Sequence, residues 1–190
     1  VSPHGILAVT FTNKAAAEMR HRIETQPGLP SAPLWIRTFH GICHRLLRLH
    51  WREAGLPQGF QILDGEDQQR LVKKIIRGLN LDDTRWVPRE VAWFINAQKD
   101  EGLRPQHLKD DGDPTRHQLI KLYEAYEDTC RRNGVVDFAE LLLRCYEILR
   151  EAPGLGEHYR ARFRHVLVDE FQDTNTIQYN WMKALVGSTS

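Results

Sequence analysis

Apolar positions recur along this chain in two rhythms, and the change from one to the other divides it into three parts. Ile6-Leu7-Ala8-Val9-Thr10-Phe11 is a short apolar run bounded by Gly5 and by Thr12-Asn13, the pattern of a strand that feeds a turn. Thr12 can cap a helix over residues 13–23, which carries Ala15, Ala16, Ala17 and Met19. Pro27, Gly28, Pro30 and Pro33 then break the chain into a loop. Leu34-Trp35-Ile36-Arg37-Thr38-Phe39 predicts a second strand. From there the period lengthens: Phe39, Ile42, Cys43, Leu46, Leu47 and His50 share one helical face, and Gly55 and Pro57 end that helix. Phe60-Gln61-Ile62-Leu63 predicts a third strand, and Asp64 caps a helix through Leu71, Val72, Ile75, Ile76 and Leu79.

From there to about Gly134 no strand pattern is visible. Pro88 suits the first turn of a helix through Val91, Phe94 and Ile95, with Gly102 past its end. Leu119, Leu122, Tyr123, Tyr126 and Cys130 mark another. This middle is expected to pack as its own cluster, with Leu71, Ile75, Phe94, Leu119 and Tyr123 inside. Asp137 and Glu140 then form an Asp-x-x-Glu capping box for a helix carrying Phe138, Leu141, Leu142, Cys145 and Leu149. Pro153-Gly154-Leu155-Gly156 breaks it, and a basic segment, residues 158–165, leads to Val166-Leu167-Val168. The β-branched residues of that triplet favour a buried strand. Residues 176–186 predict a final helix. Strands on both sides of a helical middle predict an α/β fold with an inserted all-helical subdomain.

Composition narrows the class. The chain has 190 residues, 41% hydrophobic and 27% charged, which fits a soluble globular protein with a real core. Net charge is +1, so bulk charge selects no partner, and a nucleic-acid surface would be a local patch. Cys43, Cys130 and Cys145 are odd in number with no Cys-x-x-Cys pair. They suit a reducing cytoplasm and give no disulfide framework. No apolar run approaches the ~18 residues of a membrane span. Val1-Ser2-Pro3-His4 has no signal-peptide character. It reads as the middle of a longer protein, because a core strand begins almost at once.

Chemistry concentrates at strand ends. Val166-Leu167-Val168 runs into Asp169 and Glu170, and ligands of open α/β sheets bind at that end of a strand. One carboxylate there can hold a magnesium ion on nucleotide phosphates, and its neighbour can orient or deprotonate a water for attack on the γ-phosphate. The plainer reading is a strand running into an acidic turn. Thr10-Phe11-Thr12-Asn13-Lys14 gathers hydroxyls, an amide and free helix N–H groups, which hold phosphates, beside an aromatic face on which a base can stack. The plainer reading there is a capped turn with Phe11 in the core. Thr38-Phe39-His40-Gly41 is a second such turn, expected beside the first. His40, Cys43 and His44 fall on one helical face at metal-ligand spacing. No nearby residue supplies a fourth zinc ligand, so incidental histidines on a helix are the preferred reading.

Asp169-Glu170-Phe171-Gln172-Asp173-Thr174-Asn175 resembles the Walker B signature of the UvrD/Rep/PcrA group of superfamily 1 DNA helicases. The stretch from Thr10 to Met19 is similar to that family's motif Ia, which contacts single-stranded DNA, and Thr38-Phe39-His40-Gly41 resembles motif Ib. Val136-Asp137-Phe138-Ala139-Glu140-Leu141-Leu142 resembles the segment where the chain re-enters the first RecA-like domain, and its aromatic residue can join the DNA-base pockets; the plainer reading of Phe138 on a helix of this pattern is a core residue. Phe60-Gln61-Ile62-Leu63-Asp64 and Gln98-Lys99-Asp100-Glu101-Gly102-Leu103-Arg104-Pro105 are similar to the UvrD branch.

The resemblance implies a partial RecA-like P-loop NTPase domain with a largely parallel sheet: residues 1–64 and 135–190, interrupted by a helical 1B insertion at 65–134. It implies a fragment of an ATP-dependent 3′–5′ helicase of DNA repair, cytoplasmic, with no membrane association. ATP and Mg2+ are the implied cofactors. Single-stranded DNA and single-strand/duplex junctions are the implied partners, with DNA-repair proteins as candidates. Glu170 becomes the catalytic residue, Asp169 the magnesium ligand, and Asp169 with Gln172 the nucleotide contacts. Phe11, Thr12, Asn13, Lys14, Thr38, His40 and Phe138 become the DNA contacts. One departure is large: Gly-x-x-x-x-Gly-Lys-Ser/Thr occurs nowhere in the sequence. Motif III, the arginine-bearing motifs and the second RecA-like domain are expected after Ser190. Without the phosphate loop the two acids are half a site, so the chain alone is expected to be inactive. The reading from another class is a non-catalytic DNA- or protein-binding module that keeps part of the fold.

Overall fold

A computed structural model describes residues 2–28 and 34–187. The loop positions Pro30 and Pro33, and the terminal Val1 and Ser190, lie outside the described residues. Strand β1 (Ile6–Thr10) leads into helix α1 (Asn13–Glu24), and β2 (Trp35–Thr38) into α2 (Phe39–Leu49). Next come β3 (Gln61–Leu63), α3 (Gly65–Gly78), α4 (Pro88–Asp100) and α5 (Pro114–Asn133). The chain continues through β4 (Val135–Asp137), α6 (Phe138–Glu151), α7 (Leu155–Arg162), β5 (His165–Val168) and α8 (Thr176–Val186). The local signals explain most helix starts. Thr12, Thr38 and Asp64 each accept a helix N–H on the side chain, and Pro88 stands in the first turn of α4.

The strands form two parallel sheets rather than one. β2, β1 and β5 make a three-stranded sheet in that order, and β3 and β4 pair separately. β3 and β4 stay short because an aspartate turns each into a helix: Asp64 follows β3, and Asp137 ends β4 while capping α6. Gly134 closes α5 at φ 64°, and a Cβ there would stand 2.8 Å from Pro57 Cγ, so backbone conformation and space both require glycine.

Most of the sheet packs on α2, α6, α7 and α8. That core holds Leu7, Val9, Trp35, Phe39, Leu46, Leu142, Ile148 and Trp181, with Val136 from the small sheet. α1 covers the opposite face of β1 and β2 through Ala16 against Ala8 and Ile36. Among the described residues, 65–134 contribute no strand, and α3, α4 and α5 surround a second core. Tyr123 is fully buried there, but Leu71, Ile75, Phe94 and Leu119 are only partly buried. The buried places belong to Val72, Ile76, Ile95, Leu122 and Tyr126, because the centre of each apolar stripe falls on a neighbouring residue.

Three further expectations change. Val166-Leu167-Val168 is not buried: β5 pairs with β1 alone, and Leu167 is 58% exposed because the triplet lies on a sheet edge. Much of the basic segment before it is helical, as α7. The Asp137–Glu140 capping box is half made. Asp137 accepts the Glu140 N–H, but the Glu140 carboxylate is taken by Lys99, Arg104 and Arg144.

Candidate functional site

Because β2, β1 and β5 run parallel, their carboxyl ends lie along one edge. Thr10 stands opposite Thr38, and Val9 opposite Val168. The Asp169 N–H donates to the Val9 carbonyl at 3.0 Å, which carries the pairing one residue past β5. The turn after β1 therefore lies between the turn after β2 and the acidic string.

In the middle turn, Thr12 Oγ1 accepts the Ala15 N–H at 3.1 Å, and the Thr10 hydroxyl donates to the Thr12 carbonyl at 3.1 Å. Thr12, Asn13 and Lys14 are exposed, and the first N–H groups of α1 have no partner within the helix. Phe11 is half-buried, its ring 5.2 Å from that of Phe39. Phe39 meets Trp181 of α8 at 5.8 Å, and the Trp181 indole N–H reaches Cys145 Sγ at 3.2 Å. An aromatic chain thus ties the Phe11 turn to the helix that follows the acidic string.

After β2, Thr38 Oγ1 accepts the Gly41 N–H at 3.1 Å, and a Cβ on residue 41 would press within 3.1 Å of that oxygen. His40 is half-buried and meets Phe138 edge-on at 6.1 Å. Burial pushes the His40 imidazole below its ordinary pKa, so it is neutral at pH 7. Phe138 is 50% exposed. The three zinc-spaced residues have other partners: Cys43 is fully buried in the main core, and His44 accepts from Arg48 Nε at 3.0 Å and lies edge-on to Phe60.

Asp169 and Glu170 are both exposed. Glu170 has φ 52° and ψ 46°, a left-handed conformation that few non-glycine residues adopt. Among the described residues it shares positive φ only with Asn80 and Asp111 outside the glycines. The Gln172 amide donates to the Glu170 carboxylate. Asn175 and Gln178 then cap α8 reciprocally, each side chain accepting the other's N–H at 3.0 Å. No group of three or more His, Cys, Asp or Glu side chains converges as a metal cage among the described residues. Two adjacent carboxylates suit magnesium all the same, because that ion keeps several waters and leans on substrate phosphates.

Next to Phe138 in the chain, Asp137 belongs to a buried polar cluster that sequence reading missed. Asp137 Oδ1 accepts the Glu140 N–H at 2.7 Å. Its Oδ2 accepts from Lys99 Nζ at 2.7 Å, the Tyr126 hydroxyl at 2.7 Å and Gln68 Nε2 at 3.3 Å. Beside it, Arg104 grips both oxygens of Glu140, at 2.8 and 2.9 Å, and both of Glu147, at 2.7 and 3.0 Å. Burial drives the Glu140 carboxyl up, but Lys99, Arg104 and Arg144 outweigh it and hold its pKa well below the ordinary value. Burial likewise drives the Lys99 ammonium down, and Asp137 and Glu140 reverse it. A cavity of about 320 Å³ opens above the cluster, lined by Gln68, Asn96, Asp100 and Asp137, with His40 and Phe138 on its wall. Asp137 was legible as a helix cap; its long-range partners left no local signal.

The family model for the UvrD/REP helicase N-terminal domain matches residues 1–190. The chain is 56% identical over 188 residues to DNA helicase II of Salmonella typhimurium and, equally, to DNA helicase II of Escherichia coli, covering 99% of this chain and 26% of each relative. It is 40% identical over 193 residues to ATP-dependent DNA helicase UvrD1 of Mycobacterium tuberculosis, covering 97% of this chain and 25% of that protein. The chain thus spans about a quarter of the length of these curated relatives.

Proposed function

Because this chain belongs to the UvrD/REP helicase N-terminal domain family, we propose that it is part of an ATP-dependent DNA helicase that moves 3′ to 5′ along single-stranded DNA. In this reading the whole protein opens duplex at single-strand/duplex junctions during DNA repair, in the cytoplasm. Residues 1–64 and 135–190 belong to the first RecA-like domain, and 65–134 are the 1B insertion. The observation that carries the reading is the meeting of three turns on one sheet edge, with Asp169 hydrogen-bonded to the end of β1.

On that edge the work divides by chemistry. The exposed carboxylate of Glu170, steadied by Gln172, orients and deprotonates the attacking water. Asp169, whose backbone N–H is bonded to Val9, would hold the metal that accompanies the nucleotide, and Gln172 would add a nucleotide contact. Magnesium, when bound with ATP, supplies charge neutralisation at the phosphates. Thr12, Asn13 and Lys14 hold DNA phosphates with hydroxyl, amide, ammonium and free helix N–H groups, as does Thr38. Phe11 and Phe138 offer ring faces for bases, and His40 of the second turn stands edge-on to Phe138.

Residues 1–190 lack the Gly-x-x-x-x-Gly-Lys-Ser/Thr loop, so this piece by itself binds without turnover. The deciding experiment uses the full-length protein. Glu170→Gln should abolish DNA-stimulated phosphate release and strand separation while nucleotide still binds. Wild-type turnover in that variant would overturn the reading.

A further inference from the structure

Asp137 is far better supported than a helix cap requires. Capping uses one side-chain oxygen, and Asp64 and Asp113 cap α3 and α5 from exposed positions with no further side-chain partner among the described residues. Asp137 is 2% exposed. Its second oxygen receives Gln68 from α3, Lys99 from α4 and Tyr126 from α5, so each helix of the middle unit places a donor on it. Gln68 is itself locked to Asn96 through paired amide contacts at 2.8 and 3.1 Å. With both oxygens occupied, the carboxylate cannot rotate, and the backbone turn that it caps is fixed to the helical unit. The next residue is Phe138, the first of α6 and half-exposed beside His40. Burial and the neighbouring Asp137 push the Tyr126 phenol far up, so it remains a donor at any physiological pH.

We infer that Gln68, Lys99 and Tyr126 are positioning residues for DNA binding: through Asp137 they set where Phe138 stands, and so couple the helical unit to the DNA edge. This rests on the reading of Phe138 as a DNA contact given above. The coupling is reciprocal by linkage. A base stacked on Phe138 resists displacement of α3, α4 and α5, and displacement of those helices withdraws the ring from the base.

The test is a double-mutant cycle in the full-length protein, read as affinity for a fluorescently labelled single-stranded oligonucleotide at fixed salt. Tyr126→Phe removes one hydroxyl without opening a cavity, so it keeps the fold where Lys99→Met can lose it. Phe138→Ala should weaken binding roughly tenfold, within the range for loss of one base stack. Tyr126→Phe should weaken it about threefold, as for residues in one hydrogen-bond network, and should have no further effect in the Phe138→Ala background. A merely structural Tyr126 would lower the melting temperature and cost the same factor in both backgrounds, which overturns the inference. An unchanged affinity in Tyr126→Phe also overturns it. If Phe138→Ala binds DNA like wild type, the reading of Phe138 as a DNA contact falls first, and this inference falls with it.

Discussion

The Asp169 N–H donates to the Val9 carbonyl at 3.0 Å, one residue past the end of β5. This bond holds the acidic string against the strand whose end carries Phe11 and Thr12. A change of side chain at 169 or 170 leaves it intact, so function and fold separate there. In the full-length protein, Asp169→Ala is expected to weaken magnesium-dependent nucleotide binding, with the melting temperature nearly unchanged. Titrating nucleotide with and without magnesium measures this. An equal loss in both titrations would contradict the role of Asp169.

Residues 1–190 alone should not hydrolyse ATP at a useful rate. Phosphoryl transfer depends on positioning and charge neutralisation, and the backbone cradle and its lysine are missing from this sequence. Phosphate release with single-stranded DNA present is the measurement. Robust turnover that vanishes in Glu170→Gln would show that the two acids suffice.

The buried ion cluster is expected to dominate local stability. Glu140 is 4% exposed and faces Lys99, Arg104 and Arg144. Glu140→Ala leaves buried cations short of a partner, a loss of about 3–5 kcal/mol. Its folded pKa lies well below the ordinary value, so the unfolded chain binds the proton first on acidification. The contribution of Glu140 is therefore complete above about pH 4.3 and is lost as pH falls through the folded pKa. Denaturant midpoints across pH 3–7 should fall at the acid end, and less steeply in Glu140→Gln.

What was legible in the sequence was local. Thr12 and Asp64 declare their helices because a cap is decided within three residues, and α8 spans the stretch its pattern indicates. The three strand-end turns could be named, and the parallel pairing then brings them to one edge. Distant partners were not legible. Lys99 meets Asp137 across 38 positions and Arg104 meets Glu147 across 43, and charge on a helix ordinarily signals solvent. α7 carries a single buried large side chain with a ring, Tyr159, among its arginines, too little for a stripe. The exposure of Leu167 depends on which strands flank β5, a property that the triplet does not carry.

His40 should make DNA binding pH-dependent. Burial lowers its pKa below 6.5, so at pH 7 it offers no charge. DNA phosphate favours the protonated form, so affinity should rise as pH falls below about 6.5, and His40→Gln should flatten that rise. The folded protein resists protonation more than the unfolded chain, so the same window costs some stability. Asp64 and Asp100 line the cavity beside His40, and burial raises the Asp100 pKa, with Asp137 and Glu101 adding to it. A rise that persists in His40→Gln would move the effect to other groups.

Phe11 distinguishes a stacking platform from a core residue. The ring is half-buried, with Phe39 5.2 Å away, so one part packs and another remains open at the edge. Truncating a fully buried phenylalanine costs about 3–5 kcal/mol. Phe11→Ala should cost less than that, because only part of the ring is covered. Stacking of one base is worth about 1–3 kcal/mol, so the same change in the full-length protein should weaken binding to single-stranded DNA by that amount. Lys14→Ala should act differently: it should leave stability unchanged and make affinity less sensitive to salt, since one phosphate contact is lost. Melting curves and binding isotherms at two salt concentrations separate the two residues. A Phe11→Ala protein that loses the full core penalty but, where folded, binds DNA like wild type would assign Phe11 to the core alone.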